Sequence, residues 1–176
     1  MPAPTGDTEH KAPDNQPSHQ PSKELHIQAQ YISKLYTDDT GQFPVRACSG
    51  NQYVMIVYHY YLNIILACTF NYRKDVHRLR AYNSIMEQPQ SRRHHVDLQV
   101  LYNEASAAYR QLITDKWKVD SQLAPPNIHR LNAAKRAIRT FKAHFLPILA
   151  GVAPYYPCSL WDILIPQTEL TLNMLR

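Results

Sequence analysis

The segment Gln122–Phe145 reads QLAPPNIHRLNAAKRAIRTFKAHF. In its second half the apolar side chains Leu131, Ala134, Ile138, Phe141 and Phe145 recur at spacings of three and four, which predicts a helix over 132–145 with one buried stripe. Pro125-Pro126 interrupts the chain ahead of it. Lys135, Arg139 and Lys142 line up one turn apart on a neighbouring face. Charges on the outer side of an amphipathic helix are ordinarily its solvated face and nothing more. Here no Asp or Glu occurs from Ser121 to Trp161, so the positive charge is uncompensated. A helix face of one sign attracts phosphate, whether from DNA, RNA or another polyanion.

Toward the N-terminus, Asp97–Tyr102 (DLQVLY) reads as a short strand and Ala105–Thr114 as a helix. Arg73–Met86 is an amphipathic helix by pattern, with Val76, Leu79, Tyr82 and Ile85 as its apolar positions. The stretch Tyr53–Phe70, YVMIVYHYYLNIILACTF, carries no formal charge and is long enough to cross a membrane. His59 and Asn63 near its middle, and its Val, Ile and Tyr content, predict instead two strands, Gln52–Tyr58 and Ile64–Phe70, joined by a tight turn. No membrane partner is expected. Ile32–Tyr36 is a first strand ending in the polar turn Thr37–Gly41. On the C-terminal side, Leu160–Arg176 reads as helix around a break at Pro166, with Trp161, Leu164, Leu170 and Leu175 packing. Strands first, with helices interleaved and following, give an α/β domain.

The whole chain has 176 residues and a formal net charge of +5, and 44% hydrophobic residues suffice for one real core. Residues 1–24 hold five of the 13 Pro and almost no large apolar groups, so they are expected to form a disordered arm ahead of a domain over 25–176. Cys48, Cys68 and Cys158 form no CxxC pair, which argues against a disulfide framework or a structural zinc site. The nine His are scattered, and no Gly-rich phosphate loop exists. A catalytic carboxylate cluster would start from Asp38, beside Asp39 and Gly41. On its own Asp-Asp-Thr-Gly is simply a good turn.

Four motifs in order carry a resemblance. Tyr36–Tyr53, YTDDTGQFPVRACSGNQY, is similar to the first-strand region of retroelement integrase catalytic cores, where D-x-T-G-x-F-P is followed by G-N-x-Y. Leu101–Ser106 (LYNEAS) resembles that family's L-D-N-E-x-S motif. Gln122–Phe145 resembles its P-P-H-x-H-R-x-N-A-A-E-R-A-I-R-T-F-K motif, and Leu160–Arg176 its closing helices. The match runs from about Ile32 to Arg176 and looks like copia- or gypsy-like mobile elements. It implies a ribonuclease-H-like mixed sheet flanked by helices.

The resemblance also implies a polynucleotidyl transferase, in which Asp, Asp and Glu hold two Mg²⁺ or Mn²⁺ ions that activate water or a DNA 3′ hydroxyl. Asp38 matches the first acid and is the one expected metal ligand. Tyr102 stands at the second acid and Lys135 at the third. A neutral phenol is a poor ligand for these ions and an ammonium repels them, so the resemblance implies that phosphodiester transfer is lost and that Lys135 pairs with Asp38. Asp39 and Asp97 would need a different geometry to substitute, and Glu104 is the one rescue candidate. The paired-strand turn also departs, with Tyr61-Leu62-Asn63 where the family often has Asp-Ser-Asn. With no His/Cys zinc module ahead of the core and no reverse transcriptase or protease after it, the chain reads as a detached, decayed copy. Arg139 and Lys142, with Arg130 and Arg136, are the expected nucleic-acid-binding residues. DNA is the expected partner, a homodimer through Leu160–Arg176 the expected assembly, and the nucleus the expected location. The competing function is a non-catalytic DNA-binding or oligomerising module derived from an integrase.

Overall fold

The computed structural model describes residues 33–88, 95–101, 105–124 and 133–176. Strand β1 (Lys34–Asp39) lies at the centre of a five-stranded mixed sheet. On one side it pairs antiparallel with β2 (Tyr53–His59), which pairs antiparallel with the edge strand β3 (Ile64–Phe70). On the other side it pairs parallel with β4 (Leu98–Leu101), which pairs parallel with β5 (Asp120–Leu123). The charge-free stretch is therefore a β-hairpin, and no helix of the described residues is long and apolar enough to cross a membrane. Asn63 closes the turn with φ 54, a left-handed conformation that Asn tolerates better than most residues. His59 is buried beneath the turn, and its Nδ1 accepts the Leu62 N–H at 3.3 Å.

Strand β2 is buried on both faces, which is why it reads as a continuous apolar run instead of an alternating one. Met55 and Val57 join Leu35, Leu66 and Phe70 beneath α1 (Asp75–Met86) and α2 (Ala107–Trp117), which contribute Tyr82, Ile85, Tyr109 and Ile113. Val54 and Ile56 join Ile65 and Ala67 on the opposite face. There α3 (Ala133–Gly151) lays down Ala137, Phe141 and Phe145, and Trp161 and Leu172 complete the core. The chain ends with a 3₁₀ segment, Cys158–Leu164, running into α4 (Ile165–Met174). This is the mixed sheet with flanking helices expected of a ribonuclease-H-like domain.

Several elements differ from the sequence pattern for identifiable reasons. Strand β1 extends to Asp39, so Asp38 and Asp39 are strand residues and not turn residues; pairing with Ile56 and Met55 holds them extended. Strand β5, DSQL, has no alternating apolar pattern and is specified by its partner β4. In α1, Val76 is 67% exposed, and Ala81 and Met86 take part in the buried face instead. Helix α3 continues past Phe145 and through Pro147. Pro166 opens α4 instead of breaking it, in the first turn where a missing N–H costs nothing. Leu170 and Leu175 are exposed, while Thr168 and Leu172 face inward. The expected arm over 1–24, together with Tyr102, Glu104, Arg130 and Leu131, lies outside the described residues.

Candidate nucleic-acid-binding site on the central strand

The segment after β1 is built to hold the strand's end in place. The Thr40 N–H donates to the Val54 carbonyl at 2.9 Å, and its hydroxyl accepts the Val54 N–H at 3.0 Å. Phe43 stacks on Trp161 with ring centroids 4.1 Å apart, and the Trp161 indole N–H donates to the Val45 carbonyl. Gly50, at φ 90, makes a turn that a Cβ would strain. The Asn51 amide then reaches Thr69 and Asp162. The residues of D-x-T-G-x-F-P and G-N-x-Y are thus largely a clasp between the β1 end, β3 and the 3₁₀ segment.

Strand alternation sends the two adjacent carboxylates to opposite faces. Asp38 is in register with Ile56, on the α3 side, and Asp39 with Met55, on the α1 side. Burial pushes the Asp38 carboxyl above its ordinary range. Against this act the Asp39 N–H, which donates to Asp38 Oδ1 at 2.9 Å, and the charges of Lys135, Arg73 and Arg78. Burial also pushes the Asp39 carboxyl up, opposed chiefly by Arg78, whose Nε donates to Asp39 Oδ2 at 2.8 Å. Arg73 donates to the Thr40 carbonyl at 3.0 Å and lies over the Tyr53 ring at 5.2 Å. Three cations from two helices and a loop therefore surround the Asp38–Asp39 pair. The sequence reading pairs Lys135 with Asp38, and in the structure the Lys135 charge acts to lower the Asp38 pKa. Arg73 and Arg78 are not part of that reading, because no local pattern ties an arginine to a strand end 33 or 39 residues upstream.

Of the expected nucleic-acid contacts, Arg136 and Arg139 are exposed and Lys142 is half-buried on α3. Among the described residues no carboxylate lies within ion-pair distance of these three. Arg136 turns toward the aromatic end of the sheet, where its charge lowers the pKa of Tyr36 against the larger raising effect of burial. Tyr36, Tyr58 and Tyr60 gather there, with Tyr60 centred 6.2 Å from Tyr36 and 6.3 Å from Tyr58. In the LYNEAS motif, Ser106 is the N-cap of α2, its hydroxyl accepting the Tyr109 N–H at 3.0 Å.

No protein-family model matches the sequence, and no curated protein matches it. Solved structures do match the fold. The catalytic core domain of BIV integrase superposes with a TM-score of 0.59 at 10% identity, covering 81% of this chain and 84% of that one. A chain of the simian T-cell lymphotropic virus intasome, solved in complex with PP2A regulatory subunit B56 gamma, superposes with a TM-score of 0.64 at 11% identity. That match covers 81% of this chain and 49% of the other, so the chain spans about half the length of that relative. The fold is that of an integrase catalytic core.

In an integrase-core fold the expected cofactor is a pair of divalent cations. Among the described residues, no group of three His, Cys, Asp or Glu could hold a metal ion. One Asp38 oxygen already accepts a backbone N–H, and the charges of Lys135, Arg73 and Arg78 act on the carboxyl. The described residues therefore do not fit a two-metal centre.

Proposed function

We propose that this chain is the integrase-like core of a mobile element, retaining DNA contact while its phosphodiester-transfer chemistry is lost. The observation that carries the reading is the positive surround of Asp38. A carboxylate flanked by Lys135, Arg73 and Arg78 is suited to neutralising cations and ill suited to binding Mg²⁺ or Mn²⁺. On this reading Lys135 occupies the place of the third acid and Tyr102 that of the second. The uncompensated cations Arg136, Arg139 and Lys142 meet DNA phosphate, with Arg130 extending the same surface. Nuclear residence and a homodimer belong to the same proposal. The exposed apolar side chains Leu146, Ile163, Leu170 and Met174 favour an oligomerising role beside DNA binding.

The test compares the protein with its Tyr102→Asp, Lys135→Glu variant in a Mn²⁺-dependent strand-joining assay on branched DNA. Joining by the variant alone supports the assignment of both positions and the loss of catalysis. Joining by the unmodified protein would show that another acid, with Glu104 the first to substitute, completes the site. In parallel, Arg139→Ala is expected to weaken DNA binding uniformly across sequences and to flatten the salt slope by about one unit. An unchanged slope would make the stripe a solvated face.

A further inference from the structure

Beside the Asp38 site, on the same face of the sheet, a cavity of about 220 Å³ opens between the end of β2 and the first turns of α3. Tyr58, Ala133, Arg136, Ala137, Thr140 and Arg176 line it, and no Asp or Glu is among them. Arg176 is held in position before any ligand arrives. Its Nε donates to the Asn63 carbonyl at 2.7 Å, a second guanidinium nitrogen donates to Asn63 Oδ1, and the group lies 5.5 Å from the centre of the Tyr58 ring. The Tyr58 hydroxyl donates to the same Asn63 oxygen at 2.9 Å. Across the cavity Arg136 has no ion-pair partner among the described residues. Two guanidinium groups facing one small polar cavity repel each other unless an anion lies between them, and planar forked donors suit phosphate oxygens. Next to the cavity Tyr60 is 56% exposed, an aromatic ring open to solvent and packed against Tyr58 and Tyr36.

The geometry points to a single-stranded DNA subsite: one backbone phosphate between Arg136 and Arg176, beside Thr140, whose hydroxyl donates to the Arg136 carbonyl at 3.1 Å, and the adjoining base stacked on Tyr60. An Arg-lined phosphate pocket beside an exposed ring is how strand binders combine electrostatics with stacking, and a duplex offers its bases to no such ring. The inference rests on the DNA reading above and narrows it to the form of DNA that this end of the sheet takes.

The experiment measures binding of a short oligothymidine, of a duplex of equal length, and of pyrophosphate as the free-anion probe, all at one low salt concentration. Arg136→Gln and Thr140→Glu test the pocket, the second by placing a carboxylate in it at an exposed helix position. Tyr60→Ala tests the stacking ring. Thermal unfolding of each variant confirms that it is folded. The single strand is expected to bind better than the duplex, and each pocket variant to lose about tenfold of that affinity. Tyr60→Ala is expected to lose at least about fivefold on the single strand while binding pyrophosphate unchanged. Pocket variants that bind oligothymidine as the unmodified protein does would overturn the subsite; duplex binding with a steep salt slope would then leave the broader DNA reading intact. Loss of pyrophosphate binding in Arg136→Gln, with no affinity of the unmodified protein for either DNA, would overturn both and mark a pocket for small anions only.

Discussion

Adjacent in sequence, Asp38 and Asp39 meet different physics because a strand sends consecutive side chains to opposite faces. Asp39 is the more deeply enclosed, its side chain 5% exposed and paired with an Arg78 side chain that is 14% exposed. Among the described residues its Oδ1 has no hydrogen-bond partner, so Arg78 is its principal compensation. Removing one member of such a pair strands a buried charge, whereas removing both relieves it. Arg78→Ala is accordingly expected to cost about 3 kcal/mol in urea unfolding. Adding Asp39→Asn to that variant should restore more than half of the loss. A double variant as unstable as the single would mean that Arg78 acts through packing and not through charge. The sequence made Asp38 legible as the seed of a site and Lys135 as its opposing charge. It did not show which carboxylate faces which helix, because Asp-Asp-Thr-Gly reads as a turn until β2 pairs with it and draws it into the sheet.

Helix α4 shows how an element can act through two side chains. Strand β3 is a sheet edge, and its outward backbone groups at Ile65 and the Ala67 N–H are bonded by Glu169 and Asn173, one turn apart on α4. Glu169 Oε2 accepts the Ala67 N–H at 2.7 Å, and the Asn173 amide accepts from the Ile65 N–H and donates to its carbonyl. Burial pushes the Glu169 carboxyl up to about 7 from an ordinary value of 4.5, even against the favourable Ala67 bond. The folded protein therefore keeps a proton that the unfolded chain has shed between pH 4.5 and about 7. This contribution is whole below that window, falls as pH rises through it and is gone above it, an effect on the order of 2–3 kcal/mol. Glu169→Gln retains a carbonyl for the Ala67 N–H and titrates nothing. It should flatten the stability difference between pH 5 and pH 8 and leave the variant the more stable at pH 8, as read by denaturant midpoints. A variant weaker at pH 8 would show that the ionised carboxylate holds the strand. Among the elements, the hairpin and the core of α3 were legible because their apolar spacing is complete. Strand β5 was not, since Asp120-Ser121-Gln122-Leu123 has no strand character apart from its pairing with β4. The tail of α3 was hidden by Pro147, a residue that ends helices by rule because it has no N–H for the carbonyl four residues before it, whereas here the helix continues to Gly151.

At the scale of the molecule, the order of four motifs was enough to indicate the fold, and three of them hold joins between elements: Thr40, Phe43 and Gly50 between β1 and β2, Ser106 at the start of α2, Trp161 over α3. The site was less legible. Its cations come from α1, α3 and the loop before α1, and only the closed sheet brings them around Asp38. The strand order adds a consequence in time. β1, β2 and β3 form a meander from neighbouring chain, whereas β1 and β4 meet through residues such as Ser33 and Asp97 that are 64 positions apart. Closing the longer loop costs more entropy before any contact rewards it, so the meander is expected to assemble first. In stopped-flow refolding, Val57→Ala should slow folding, and Leu101→Ala should act mainly by speeding unfolding; the reverse partition would place the nucleus in the parallel half. Until β4 docks, the strand bearing Asp38 is a bare edge on a newly made chain, and that interval is when two copies are most prone to exchange strands.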